Sequence, residues 1–166
     1  IMSRPEAAER AVEDLSELFR VSLQETQRPT TVADELHLCE LYLDIEQLRL
    51  GDRLQVRWQV DAGAREQSMP SLLLQPLVEN AIYHGLSQLP RGGVITIDVS
   101  FRQSEIQVSV DNPLPQQARS EQGHHMALEN IEQRLHALYG PGARLEAGPR
   151  GDHFIVRLSY APGALL

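Results

Sequence analysis

The sequence predicts an α+β fold: a two-layer α/β sandwich, with a mixed sheet and helices on one face. Two observations carry this expectation. The segments run helix, helix, strand, helix, two strands, loop, helix, two strands, an order that sets helices against a sheet built partly from adjacent strand pairs. The strand segments also alternate, as in Leu54, Val56, Trp58 and Val60 against Gln55, Arg57 and Gln59, which marks a half-buried strand. With 166 residues the chain can bury one sizeable core and carry an additional helix, but not two full domains.

Composition narrows the function classes. A hydrophobic fraction of 42% with 23% charged residues is that of a folding globular chain rather than a disordered one. The formal net charge of −8, with no Lys/Arg cluster, argues against a nucleic-acid partner, because phosphate neutralisation needs grouped cations. The lone Cys39 excludes an internal disulfide and a multi-cysteine metal site, and is compatible with a reducing compartment. No apolar run approaches a membrane span. The opening IMSRPEAAER is neither a signal peptide nor a natural-looking start, and it reads as a fragment of a longer protein.

Taken in order, Ala8, Val12, Leu15, Phe19 and Leu23 recur at three or four residues from Pro5 onward, an amphipathic helix ended near Pro29. Val12, Leu15 and Phe19 are expected to pack on another helix, of this domain or of a partner subunit. Thr31 to Leu50 reads as a second helix with Thr31 as N-cap and Asp34 at its third position. Two apolar rows follow, Leu36, Cys39, Leu43, Leu50 and Leu41, Ile45, Leu48, which predict deep burial. Gly51 and Asp52 stop it, and the first strand runs from Leu54 to Val60. After a helix over residues 72–85 come strands at Val94–Phe101 and Ile106–Val110, joined as a hairpin across Gln103 to Glu105. The second delivers Asp111 and Asn112 at its end. Pro113 to Gln122 reads as a loop, Met126, Ile131, Leu135 and Leu138 mark a helix ended by Gly140, and two strands around Leu145 and Phe154–Leu158 close the chain.

The chemistry gathers in LLLQPLVENAIYHG, Leu72 to Gly85. Leu73, Leu77, Ala81 and either Leu74 or Val78 form its apolar stripe, and Glu79, Asn80, Tyr83 and His84 cluster at one edge. An Asn carboxamide offers a neutral oxygen that can bind Mg²⁺, which in turn bridges phosphates. Spacing alone fits a core helix whose Asn is satisfied by neighbouring backbone at least as well. The run QPLVENAIYHG, however, closely resembles the N box of the LytS/YehU-type sensor histidine kinases, which carry the Bergerat (GHKL) ATP-binding fold also found in gyrase and MutL. ELHLCELYLDIEQLRLGDRL resembles the segment leading into their catalytic domain, and ALENIEQRLHALYG their GLENIRQRL helix.

The resemblance implies ATP and Mg²⁺ as cofactors, and transfer of the γ-phosphoryl to a histidine and then to a response regulator of the LytTR type. It further implies a homodimer, with this chain on the cytoplasmic side of an inner-membrane protein whose membrane part lies in a missing N-terminal region. Residues 1–28 would end the dimerisation and phosphoacceptor region, and 29–166 would be the ATP-binding catalytic domain. Asn80 aligns with the Mg²⁺-binding asparagine, and Asp111 with the aspartate that accepts the adenine amino group, with Asn112 beside it. Gly123, His124, His125 and Leu128 fall in the second glycine box. Glu79 is the candidate catalytic carboxylate, placed to orient a water or polarise the metal shell, though a solvated or capping role fits it as well.

Several positions depart from the family pattern. The first glycine box, Asp-x-Gly-x-Gly, reads Asp111, Asn112, Pro113, Leu114, Pro115, and proline can neither adopt a positive φ nor donate an N–H. The second box keeps only Gly123, with His125 and Ala127 where glycines stand. Such loops work by bringing backbone amides to phosphate. Tyr83 occupies the place of a phosphate-binding Lys, which leaves His84, His124 and His125 as fractionally charged substitutes. The adjacent histidines lack further ligands for a four-coordinate metal. The gyrase-type hydrolytic Glu is replaced by Pro76. These departures keep a second reading open, a non-catalytic pseudokinase module that docks a response regulator.

Overall fold

The computed structural model describes residues 5–24, 30–115 and 122–166. Helix α1 (Pro5–Gln24) begins at Pro5, where a missing N–H leaves no helical bond unmade. Strand β1 (Thr30–Thr31) then pairs antiparallel with β3 (Ser68–Met69), and the Thr30 hydroxyl donates to the Met69 carbonyl at 2.5 Å. Two-residue strands carry no periodicity, so the sequence does not announce this bridge. Helix α2 (Val32–Leu50) has the predicted reciprocal cap: the Asp34 N–H donates to the Thr31 hydroxyl at 3.2 Å, and the Thr31 N–H to the Asp34 carboxylate at 2.9 Å. It closes on Gly51 at φ 58°.

Strand β2 (Leu54–Val60) pairs parallel with β4 (Gly93–Arg102), and the other pairings are antiparallel: β4 with β5 (Glu105–Pro113), β5 with β7 (His153–Tyr160), and β7 with β6 (Arg144–Arg150). The order β2-β4-β5-β7-β6 is therefore a mixed sheet, as predicted. One face is apolar. Ile95, Ile97 and Val99 of β4, with Ile106, Val108 and Val110 of β5, join α2 and two further helices, α3 (Leu74–Asn80) and α4 (Gln122–Tyr139), in one core. The other face is an open polar surface lined by residues such as Thr96, Asp98, Ser109 and Arg157. All three core helices thus cover a single face, the two-layer arrangement expected.

Several expectations are corrected. Of the two partners expected for Val12 and Leu15, this domain is not one, since Val12 is 64% exposed and Leu15 is exposed; α1 lays Ala7, Ala11 and Asp14 against its surroundings instead. Phe19 lies outside the described side chains. Leu48, in the second apolar row of α2, is exposed too. Strand β5 runs three residues past Val110, so Asp111, Asn112 and Pro113 are ladder residues rather than its trailing end or the start of a loop. Helix α4 begins at Gln122, four residues before Met126, and so takes the second glycine box into its first turns. The rest of the predicted loop, residues 116–121, lies outside the described residues. The β4–β5 turn places Gln103 and Ser104 at φ 52° and 66°, left-handed positions usually left to Gly or Asn.

Candidate functional site

The turn before α3 is tied down before the helix starts. The Glu35 carboxylate of α2, 0% exposed, accepts from the backbone amides of Leu72 at 2.7 Å and of Leu73 and Leu74 at 3.0 Å each. These are amides with no carbonyl partner of their own at a helix start. Pro76 falls in the first turn, where its missing N–H is harmless, which explains how a proline fits into this motif. Leu74, Leu77 and Val78 then face the sheet, and Asn80 ends the α-helical part only 7% exposed.

A π-helical turn, Ala81–Gly85, continues α3, with the Ala81 N–H directed at both the Leu77 and Val78 carbonyls. Such turns are frequent at functional sites. It brings Gly85 onto β5: a Cβ at Gly85 would lie 2.9 Å from Asn112 Cγ and 2.9 Å from the Pro113 carbonyl oxygen. Only glycine allows this approach. Asn112 is 2% exposed, and its Nδ2 donates to the Pro113 carbonyl at 3.0 Å, which leaves Oδ1 as the acceptor end of the amide. Gly85 and the buried Asn112 thus meet at a helix-to-sheet seam, and the buried Asn80 immediately precedes the turn that carries Gly85 there.

Asp111 is not at that seam. It follows the strand alternation onto the polar face, and its Oδ1 lies 2.5 Å from His153 Nδ1 of β7. Glu79 is exposed, and its Oε1 accepts from Gln75 Nε2 at 2.9 Å, one helical turn back. Tyr83 is 68% exposed and meets His84 edge to face, with ring centroids 4.8 Å apart. Burial holds the His84 imidazole below its ordinary pKa, which makes it a weaker substitute for the absent lysine cation. Leu128 is a core residue. Gly123, His124 and His125 lie in the first turns of α4, with side chains outside those described.

The donor set suits one kind of metal. Among the described residues, no group of three or more His, Cys, Asp or Glu side chains is placed to hold an ion. A single neutral carboxamide, that of Asn80, fits Mg²⁺, which keeps several waters and takes its other ligands from phosphate. Sequence reasoning missed Glu35 and Gly85, and also Arg134 of α4, whose guanidinium donates to the Leu72 carbonyl at 3.4 Å.

A family model described as histidine kinase matches residues 1–54, from α1 to the start of β2. The chain is 33% identical over 153 residues to the sensor protein LytS of Staphylococcus haemolyticus, covering 84% of this chain and 26% of LytS. It is 32% identical over 161 residues to the sensor histidine kinase YpdA of Escherichia coli, covering 89% and 28%. Among solved structures, it resembles the histidine kinase domain of a blue-light activated histidine kinase of Erythrobacter litoralis, with TM-score 0.59 and 19% identity over 95% of this chain and 75% of that one. That last likeness is one of fold. The chain spans about a quarter of the length of the curated relatives it matches.

Proposed function

We propose that this chain, which belongs to the LytS-type sensor histidine kinases, binds Mg-ATP at the α3–β5 seam and presents its γ-phosphoryl to a histidine on a dimerisation helix. Residues 29–166 form the ATP-binding catalytic domain in this reading, and 1–28 the end of the dimerisation region. The single observation that carries it is the buried Asn112 carboxamide packed against Gly85, with the buried Asn80 carboxamide at the residue just before the turn that carries Gly85.

Asn80 holds the Mg²⁺, whose charge neutralises the phosphates when it is bound. Asn112, rather than Asp111, faces the base: its Oδ1 accepts the adenine amino group, while Nδ2 stays on the Pro113 carbonyl. Phosphoryl transfer depends chiefly on positioning and charge neutralisation. With the lysine position taken by Tyr83, this chain relies on the metal for most of that charge. Glu79, held by Gln75, borders Asn80 from the solvent side and orients water in the metal shell.

Further parts of the reading concern partners. The exposed Val12 and Leu15 suit a helix-to-helix contact with a second subunit. The acceptor beyond the histidine is a response regulator of the LytTR type. The chain lies on the cytoplasmic side of an inner-membrane protein, and no helix among the described residues is long and apolar enough to cross a membrane.

A second reading, a non-catalytic platform that docks a response regulator, draws on Pro113. This residue is built into β5 opposite His153, with its ring against Gly93, where a Cβ would lie 2.6 Å from Pro113 Cγ. A backbone used this way has no amide to offer phosphate. Calorimetric titration of ATP with and without Mg²⁺ separates the two. The kinase reading expects Mg²⁺-dependent binding that Asn80→Asp weakens, and equal binding under all these conditions would overturn it.

A further inference from the structure

The attachment of Glu35 to the turn before α3 is more elaborate than helix packing requires. An ionised carboxylate with no exposure is costly unless hydrogen-bonded, and all three amides it uses come from consecutive residues, Leu72, Leu73 and Leu74. Leu72 has φ 53°, a left-handed conformation that disfavours a residue with a side chain by about 1–2 kcal/mol. Its side chain is 38% exposed, so burial of Leu72 itself does not impose that conformation. Hydrogen bonds do. Arg134 of α4 holds the same turn from the other side, with Nη1 donating to the Leu72 carbonyl at 3.4 Å and Nη2 to the Ser71 hydroxyl at 3.5 Å. Asn80 stands six residues beyond Leu74, roughly 9 Å along the helix axis, so the point where α3 starts determines where Asn80 ends.

We infer that Glu35 is a positioning residue for the nucleotide site: by binding the Leu72–Leu74 amides it sets the start of α3 and thereby the placement of the Asn80 carboxamide. The inference rests on the reading of Asn80 as the Mg²⁺ ligand. Groups that hold a metal ligand in place, without touching the metal, influence affinity strongly. Glu35 does so from α2, so the placement of Asn80 is tied to a helix that also packs on α1.

The test is calorimetry of Mg-ATP, and of ATP in EDTA, with the parent chain and with Glu35→Gln, Glu35→Asp and the double variant Glu35→Gln/Leu72→Gly. Glu35→Gln keeps the size but directs an NH₂ group at amides that need an acceptor. It should lower Mg-ATP affinity about tenfold while leaving ATP binding in EDTA unchanged. Glu35→Asp should fall between the two. Glycine at Leu72 adopts the left-handed turn without strain, and should return part of the lost affinity in the double variant. A merely structural role would not be rescued this way. Mg-ATP binding by Glu35→Gln within about twofold of the parent would overturn the inference and leave the ATP site standing. A parent chain that binds no nucleotide would overturn both. Should Glu35→Gln fail to fold, hydrogen exchange on the parent decides: because coupling is reciprocal, saturating Mg-ATP should slow exchange at the Leu72, Leu73 and Leu74 amides, and unchanged rates there overturn the inference.

Discussion

Asp111 Oδ1 and His153 Nδ1 lie 2.5 Å apart across the β5–β7 ladder, on the sheet face turned away from α3. Asp111 pairs with Ile155 and Pro113 with His153, so the two side chains are diagonal neighbours on that face. The carboxylate to which the family resemblance gives the adenine contact thus meets His153 on the polar face, and Asn112 takes the inward position.

Asp111→Asn should therefore leave Mg-ATP affinity and the preference for ATP over GTP within about twofold of the parent, and cost the sheet about 0.2–1 kcal/mol, at the low end because both partners are partly solvated. Asn112→Ala should weaken ATP binding by about tenfold, because it removes a buried acceptor for the base. Calorimetry of both variants, with urea melts alongside, checks the pair of outcomes.

Gly85→Ala is expected to disturb both fold and site. The added methyl would meet Asn112 Cγ and the Pro113 backbone oxygen, each 2.9 Å away, and backbone cannot swing aside as a flexible side chain can. A loss of about 1–3 kcal/mol in urea unfolding is expected, with weaker ATP binding as Asn112 is displaced. An unchanged melting midpoint would show that the helix and β5 do not approach as described.

ATP and ADP should bind within about threefold of each other, because few backbone amides remain to cradle the γ-phosphate. Pro113 offers no amide and is locked into β5, and Pro115 follows two residues later. Competition between the two nucleotides against a fluorescent analogue measures this ratio directly. Restoring glycine at Pro115, His125 and Ala127 should raise ATP over ADP, whereas Pro113→Gly should mainly loosen packing at Gly93.

Glu35 gives a pH signature. Burial pushes its carboxyl above the ordinary value of 4.5, against the pull of the Leu74, Leu72 and Leu73 amides and of Arg134. Between 4.5 and the higher folded-state value, the folded chain therefore holds a proton that the unfolded chain has already released. The stability this confers is complete below 4.5 and lost as pH rises through the folded-state value. Relative to Glu35→Gln, the parent should lose stability across that window, read from urea midpoints at stepped pH. A difference of constant size at every pH would contradict it.

The fold was legible where periodicity is long. The capping box of α2, the five strands of the main sheet and the end of α4 near Gly140 all follow from residue types at fixed spacings. The β1–β3 bridge and the Glu35 clamp were not legible, because both join positions more than thirty residues apart and depend on tertiary placement. The amphipathic pattern of α1 was real, but periodicity does not say which face meets the domain. At β5 the information was present and outweighed: Ile106, Val108 and Val110 point inward, so alternation places residue 112 inward and 111 outward. The family resemblance led to Asp111, whereas the pleat of the strand turns Asn112 inward, which is why the proposed base contact is placed on Asn112.

The central claim, that Mg-ATP binds at the Asn80–Gly85–Asn112 seam, is tested most directly by a nitrogen-15 NMR titration of the chain with Mg-ATP. The account predicts that the side-chain amide signals of Asn80 and Asn112 and the backbone amide of Gly85 shift together and saturate at one stoichiometry. The signals of Asp111 and of its face of β7 should move little. Shifts concentrated at Asp111, His153 and the polar sheet face, with Asn80 and Asn112 unmoved, would contradict it.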